Sequence, residues 1–266
     1  MPEHVLATDL DGTLIPLDDS QDNQRDLATL RGAFQSPDRV LVFVTGRHIE
    51  SVEEAIRTFD LPKPDWIICD VGTTICHVRE DATCAVHQPY ADYLATIVGE
   101  FTAARIRELM TPIEGLTPQE EAKQGRFKIS FYAEADQLRQ LVPQVEKIIA
   151  QQDAPYSVVD SVDPFNGDGL IDLLPRGVSK AHALDWWCER QGHPRQEIVF
   201  AGDSGNDYAA LVAGYRTIVV ANAAQELVDA VHQAHQEEAW ADRLFLATAK
   251  ATSGVLQGCR HFGICP

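Results

Sequence analysis

Five short runs of apolar, largely β-branched residues constrain the fold of this chain more than any other feature: Val5 to Leu10, Val40 to Thr45, Trp66 to Val71, Glu197 to Gly202 and Thr217 to Ala221. Between them the spacing predicts helices over Asp22 to Phe34, Ile49 to Phe59, Ser179 to Gln191, Asp207 to Ala213, Ala224 to His235 and Ser253 to His261. Strand and helix in alternation are the pattern of a mostly parallel sheet covered by helices, so the expected class is α/β. From Cys84 to Pro175 the rhythm changes. Helical stretches at Asp92 to Met110 and Ala135 to Gln151 alternate there with strand-like segments at Phe127 to Tyr132, Tyr156 to Val159 and Leu170 to Leu174, as in a small α+β sheet domain. The expectation is a discontinuous parallel-sheet core, residues 1–83 with 176–266, interrupted by a smaller α+β domain over residues 84–175.

The 266 residues carry 22 basic and 40 acidic side chains, a formal net charge of −18. Such a surface repels nucleic-acid backbones and anionic membranes, and no basic cluster offsets it. No apolar run is long enough to span a bilayer, and the opening Met1-Pro2-Glu3-His4 lacks the basic region and apolar stretch of a secretory signal. The chain is therefore expected to be cytoplasmic, with no nucleic-acid or membrane partner. Six cysteines form no C-x-x-C and several lie in apolar segments, which predicts reduced thiols. No heptad or apolar stripe marks an assembly surface, so a monomer is the default expectation and a dimer the alternative.

Four elements carry chemistry. Asp9-Leu10-Asp11-Gly12-Thr13 follows an apolar strand directly, setting two carboxylates at the strand's carboxyl end, where open α/β sheets bind ligands. Taken alone it also reads as an acidic turn capping a helix. Val44-Thr45-Gly46-Arg47 ends a second strand in a hydroxyl, a glycine and a cation, which suits a phosphate held by Thr45 and the amides around Gly46, or a simple turn. Gly202-Asp203-Ser204-Gly205-Asn206-Asp207 follows a third strand with two acids four apart, an oxygen cage for a hard cation or an acidic solvent turn. Lys180 opens a helix, where the dipole disfavours a cation unless helix and lysine face an anion together. On so acidic a chain, a phosphate ester needs a divalent metal and a few placed cations at its point of binding.

These four elements, in this order and each at a strand or helix end, resemble the haloacid dehalogenase superfamily; the resemblance implies a Rossmann-like core with an inserted cap, and it covers the whole chain. With Phe127-Lys128-Ile129-Ser130 and Ile171-Asp172-Leu173-Leu174-Pro175, the Gly202 to Asp207 loop is similar to the sucrose-phosphate phosphatase branch, although Thr74 stands where those relatives often carry an acid. The resemblance implies a phosphatase that takes a phosphoryl group from a small phosphorylated sugar, sucrose 6-phosphate or a related disaccharide or glycoside phosphate. It implies Asp9 as nucleophile, Asp11 as acid and base, and Thr45 and Lys180 on the phosphoryl oxygens. It also implies Mg2+ held by Asp9, the backbone carbonyl of Asp11, Asp203 and Asp207, with Asp207 and Asn206 suited equally to clamping phosphate. Gly46, Arg47, His48, Lys128 and Asp168 are the candidate substrate contacts. Lys128 reads equally as a strand-edge lysine, and His48 as the opening of a helix. Two other functions fit the same motifs: a phosphohexomutase, and a catalytically silent sugar-phosphate-binding protein.

Overall fold

The structure, a computed structural model, describes residues 4–16, 18, 20–162 and 166–265. Met1 to Glu3 and Pro266, which fall in the expected core ranges, lie outside the described residues. The chain divides into two compact units, Met1–Val86 with Lys180–Pro266, and His87–Ser179. The first unit opens with β1 (His4–Thr8), α1 (Gln21–Ala33), β2 (Arg39–Val44), α2 (Ile49–Thr58), β3 (Trp66–Cys69), β4 (Thr74–Val78) and β5 (Cys84–Val86). The second holds α3 (Gln88–Val98), α4 (Ala103–Met110), β6 (Thr117–Pro118), β7 (Ile129–Ala133), α5 (Leu138–Gln151), β8 (Tyr156–Val162) and β9 (Gly169–Pro175). The first then resumes with α6 (Lys180–Gln191), β10 (Ile198–Gly202), α7 (Tyr208–Leu211), β11 (Arg216–Val219), α8 (Gln225–Glu237), β12 (Leu244–Leu246) and α9 (Ala251–His261).

An eight-stranded sheet in the order β12-β11-β10-β1-β2-β3-β4-β5 carries the first unit. Its strands are parallel from β12 to β3, and β4 and β5 return antiparallel. This is the parallel-dominated α/β class that the apolar runs imply. Strands buried on both faces need apolar residues throughout, and Leu6, Leu41, Phe43, Ile67, Val199 and Ile218 are each at most 1% exposed. The second unit has its own antiparallel sheet, in the order β6-β7-β9-β8, and its own buried residues, among them Leu94, Ile106, Phe131, Val145, Ile171 and Leu173.

The differences from expectation have local causes. The run to Val71 ends as a strand at Cys69, because Asp70, Val71 and Gly72 take φ of 53°, 57° and 94°. A left-handed backbone cannot continue a strand. Instead the Asp70 amide bonds the Arg47 carbonyl at 2.9 Å, the Val71 amide bonds the Thr45 carbonyl at 3.2 Å, and the chain reverses into the unforeseen β4. In the second unit the helical stretch from Asp92 to Met110 is two helices. Gly99 at φ 54° ends α3, and the Thr102 hydroxyl caps α4 by accepting the Arg105 amide. The helix expected from Asp207 to Ala213 is a single 3-10 turn, Gly205–Asp207, followed by the four residues of α7. All six cysteines are free thiols, and among the described residues no helix is long and apolar enough to cross a membrane.

Candidate active site

Beyond the end of β1, the Asp9 amide still bonds the Ala201 carbonyl of β10 at 2.9 Å, so Asp9 continues the strand's direction. Because β10, β1 and β2 are neighbours, Asp203, Asp9 and Thr45 emerge at three adjacent carboxyl ends. The chain then turns at Gly12, φ 77°, where an added Cβ would lie 2.4 Å from Asp203 Oδ2. Both the left-handed conformation and this close approach require glycine.

Lys180 at the start of α6 fills the space between the acids. Its Nζ donates to Asp9 Oδ1 at 2.8 Å, to Asp207 Oδ1 at 2.7 Å and to Asn206 Oδ1 at 2.8 Å, which uses all three ammonium protons. Two carboxylates thereby outweigh the unfavourable helix dipole. The other oxygen of Asp207 accepts the Asp203 and Ser204 amides, each at 3.2 Å, and the Ser204 hydroxyl at 3.1 Å. Asp207 is thus engaged on both oxygens and pins the acidic loop to the lysine. Among the described residues Asp203 has only neutral donors, the Thr13 hydroxyl on Oδ1 at 2.7 Å and the Asn222 amide on Oδ2 at 3.2 Å. Among the described residues no donor reaches Asp9 Oδ2.

This crowding shapes the charges. Burial, reinforced by the negative Asp207, pushes the Asp9 carboxyl up to about 8 against the pull of Lys180. Burial also raises Asp203 to about 6, opposed by its bond from Thr13. Lys180 is raised above its ordinary value, because the attraction of Asp207 and Asp9 outweighs its burial. Asp9, Asp203 and Asp207 each offer a carboxylate oxygen within 4.8 Å of the others. When all three are ionised, three carboxylates against one ammonium leave two negative charges, and every donor is a hard oxygen. The residues therefore fit a divalent oxygen-seeking cation, which would also let Asp9 ionise at neutral pH.

Arg47, an expected substrate contact, is bonded to Asp11. Its Nε donates to Asp11 Oδ2 at 2.7 Å and its Nη2 to Asp11 Oδ1 at 2.6 Å, a bidentate clamp that Nη1 extends to the Ser51 hydroxyl at 3.0 Å. That clamp raises the guanidinium's own proton affinity further. Thr45 is 1% exposed and its hydroxyl oxygen accepts the Arg47 amide at 3.2 Å, with Gly46 half-buried beside it. His48 precedes α2 without capping it through its side chain. Lys128 and Asp168 belong to the second unit. There Lys128 is buried, and Asp168 is exposed and bonded to Asn166 through Oδ2 at 2.8 Å. The first-unit candidates Asp9, Lys180, Asp203, Asn206 and Asp207 form one connected cluster, and Asp11 with Arg47 forms a pair beside Asp9 in the chain. Sequence reasoning missed Thr13, Ser204 and Asn222, neutral residues that hold the acids in place.

Comparison with known proteins gives consistent relatives. The family model described as sucrose-6F-phosphate phosphohydrolase matches residues 2–263. The mannosylfructose-phosphate phosphatase of Agrobacterium fabrum is 32% identical over 266 residues, covering 100% of this chain and 99% of that protein. A HAD-like hydrolase of Nitrosococcus oceani is 34% identical over 97% of this chain and 71% of its own length. In fold, the sucrose-phosphatase of Synechocystis, solved with sucrose and phosphate, superposes with a TM-score of 0.78 at 23% identity, covering 99% of both chains.

Proposed function

The chain belongs to the sucrose-6F-phosphate phosphohydrolase family, and from that premise we propose that it hydrolyses the phosphate monoester of a fructose-containing disaccharide, sucrose 6-phosphate or mannosylfructose phosphate, with Mg2+ as cofactor. The observation that carries this reading is the buried cluster in which Lys180 bonds both Asp9 and Asp207 while Asp9 keeps one oxygen open.

In this reading the open oxygen of Asp9 attacks phosphorus in line and forms an aspartyl phosphate, splitting a slow displacement into two faster ones. Asp11 protonates the departing sugar oxygen, then removes a proton from the water that cleaves the acyl phosphate. Thr45 and the amides around Gly46 hold the phosphoryl oxygens where charge concentrates, the Lys180 ammonium adds its positive charge beside them, Asn206 helps orient Lys180, and Asp207 fixes both Lys180 and the acidic loop. Asp9, Asp203 and the Asp11 carbonyl would hold Mg2+, which would supply positive charge against the phosphoryl group. Lys128, Asp168 and His48 are candidate contacts for the sugar hydroxyls.

The test is phosphate release from a panel of sugar phosphates with Mg2+ and with EDTA. Release from one of the two disaccharide esters, at a kcat/KM at least tenfold above that for hexose phosphates and abolished by EDTA, is the expected result. Metal-independent release, or a preference for hexose phosphates, contradicts the reading.

Arg47 allows a narrower check. Its bidentate hold on Asp11 is positional, so Arg47→Met is expected to lower kcat by about 10²-fold while KM changes little, since loss of orientation at a reacting group has effects of that size. A raised KM with unchanged kcat would return Arg47 to the role of substrate contact.

A further inference from the structure

Asn222, three residues beyond β11, joins three segments that are remote in the chain. Its Nδ2 donates to the Gly12 carbonyl at 2.8 Å and to Asp203 Oδ2 at 3.2 Å, and its Oδ1 accepts the Ala251 amide at 2.9 Å. The amide orientation is therefore dictated. A flipped side chain would set oxygen against a carbonyl and a carboxylate, and nitrogen against an N–H. Ala251 opens α9 with φ 45°, a left-handed conformation uncommon for alanine, at the point where its N–H meets Asn222. A second asparagine, Asn23, also serves this helix end, its Oδ1 accepting the Ser253 amide at 2.9 Å. Only Asn222 also reaches the acids.

We propose that Asn222 is a positioning residue for the metal: with Thr13 on the opposite oxygen, it holds the Asp203 carboxylate in its cation-binding orientation, using the first turn of α9 as its anchor. The donors are neutral, and this is the physical point. An arginine or lysine at either place would orient Asp203 equally well but cancel the charge that draws the cation. Two neutral bonds fix the carboxylate and leave its charge available. The inference rests on the reading of the cluster as a Mg2+ site.

The test is calorimetric titration of the full-length protein, free of substrate, with Mg2+ alone. Asn222→Leu keeps the volume and removes both polar ends, and Thr13→Val removes the other donor. Each is expected to weaken Mg2+ binding tenfold or more, the usual scale for losing a group that orients a ligand. Asn23→Ala removes the neighbouring cap of α9 and touches no acid, so it is expected to lower Tm and leave the Mg2+ Kd unchanged. Should Asn222→Leu bind Mg2+ within threefold of the unaltered protein, or Asn23→Ala weaken binding as much as it does, Asn222 is a helix cap and the inference fails. Absence of Mg2+ binding by the unaltered protein is a different result, which overturns the metal reading itself and this inference with it.

Discussion

Asp9→Asn is expected to lower kcat by at least about 10⁴-fold on the preferred sugar phosphate while leaving the protein folded, because removal of a nucleophile removes a whole step rather than one of several stabilising contacts. The amide is isosteric, and its oxygen can still accept the 2.8 Å bond that Lys180 gives Asp9. Activity within tenfold of the unaltered protein would exclude Asp9 as the attacking group. The same variant has a second signature, in stability. The Asp9 carboxyl is pushed from 3.8 up to about 8 in the fold, mainly by burial. A group whose folded value is raised contributes stability that is fully present below its unfolded value and is lost as pH rises through the folded one, at about 1.4 kcal/mol for each pH unit between the two. The Tm of the metal-free protein is therefore expected to fall between pH 4 and about 8, with Asp203, raised to about 6, contributing to the lower part of that decline. Asp9→Asn should flatten the upper part. A metal-free Tm that is constant or rising from pH 5 to 8 in the unaltered protein would contradict this account of the cluster.

How far the sequence leads can be seen in particular elements. The strands β1, β2 and β10 are legible because both their faces are covered and nearly every position is apolar, and the same property makes the next polar residues, Asp9, Thr45 and Asp203, stand out as strand-end side chains. The hairpin of β4 and β5 is not legible. Its reversal depends on Asp70 and Val71 adopting left-handed φ, which a β-branched residue such as Val71 disfavours and which is maintained by amide bonds to Arg47 and Thr45. The break between α3 and α4 did have signals, Gly99 and the capping Thr102, overridden by the helical spacing on either side. Charged residues advertise chemistry, whereas the neutral ones that orient them do not. Thr13 and Asn222 look like ordinary loop residues until the fold brings chain positions 190 and 19 residues distant from them to Asp203. Asn222 was nevertheless findable by the rule that found Asp9, since it too lies just past the carboxyl end of a parallel strand. Arg47 shows the converse. Its type and place suggested a substrate contact, and nothing in the sequence reveals that Asp11 takes two of its hydrogen bonds.

Lys180 carries the largest structural consequence of any single side chain in the cluster. Its ammonium is 1% exposed and is the counter-charge for Asp9 and Asp207, themselves 4% and 0% exposed. Lys180→Met keeps the length of the side chain and removes the charge, leaving two buried carboxylates unpaired, a change that typically destabilises by about 3–5 kcal/mol. The sign of its pH dependence follows from the groups left behind. Lys180 itself is raised above its ordinary 10.5, so its contribution is complete throughout the neutral range and is lost only in strong alkali. Between pH 5 and 8 any change in the deficit must come from Asp9 and Asp203, whose raised values the charge of Lys180 holds down and which in the variant hold their protons more tightly still. The deficit in Tm is therefore expected to be small near pH 5, where protonated acids need no partner, and largest at pH 8. Mg2+ should reduce it at pH 8, because the ion restores positive charge among the same oxygens, yet kcat should remain depressed by about 10² to 10³, the effect of removing a preorganised positive charge from beside the developing negative one. Thermal unfolding of both proteins at the two pH values, with Mg2+ and with EDTA, tests each part. Equal Tm values at pH 8 in EDTA would mean that the ammonium is not what holds the acids together.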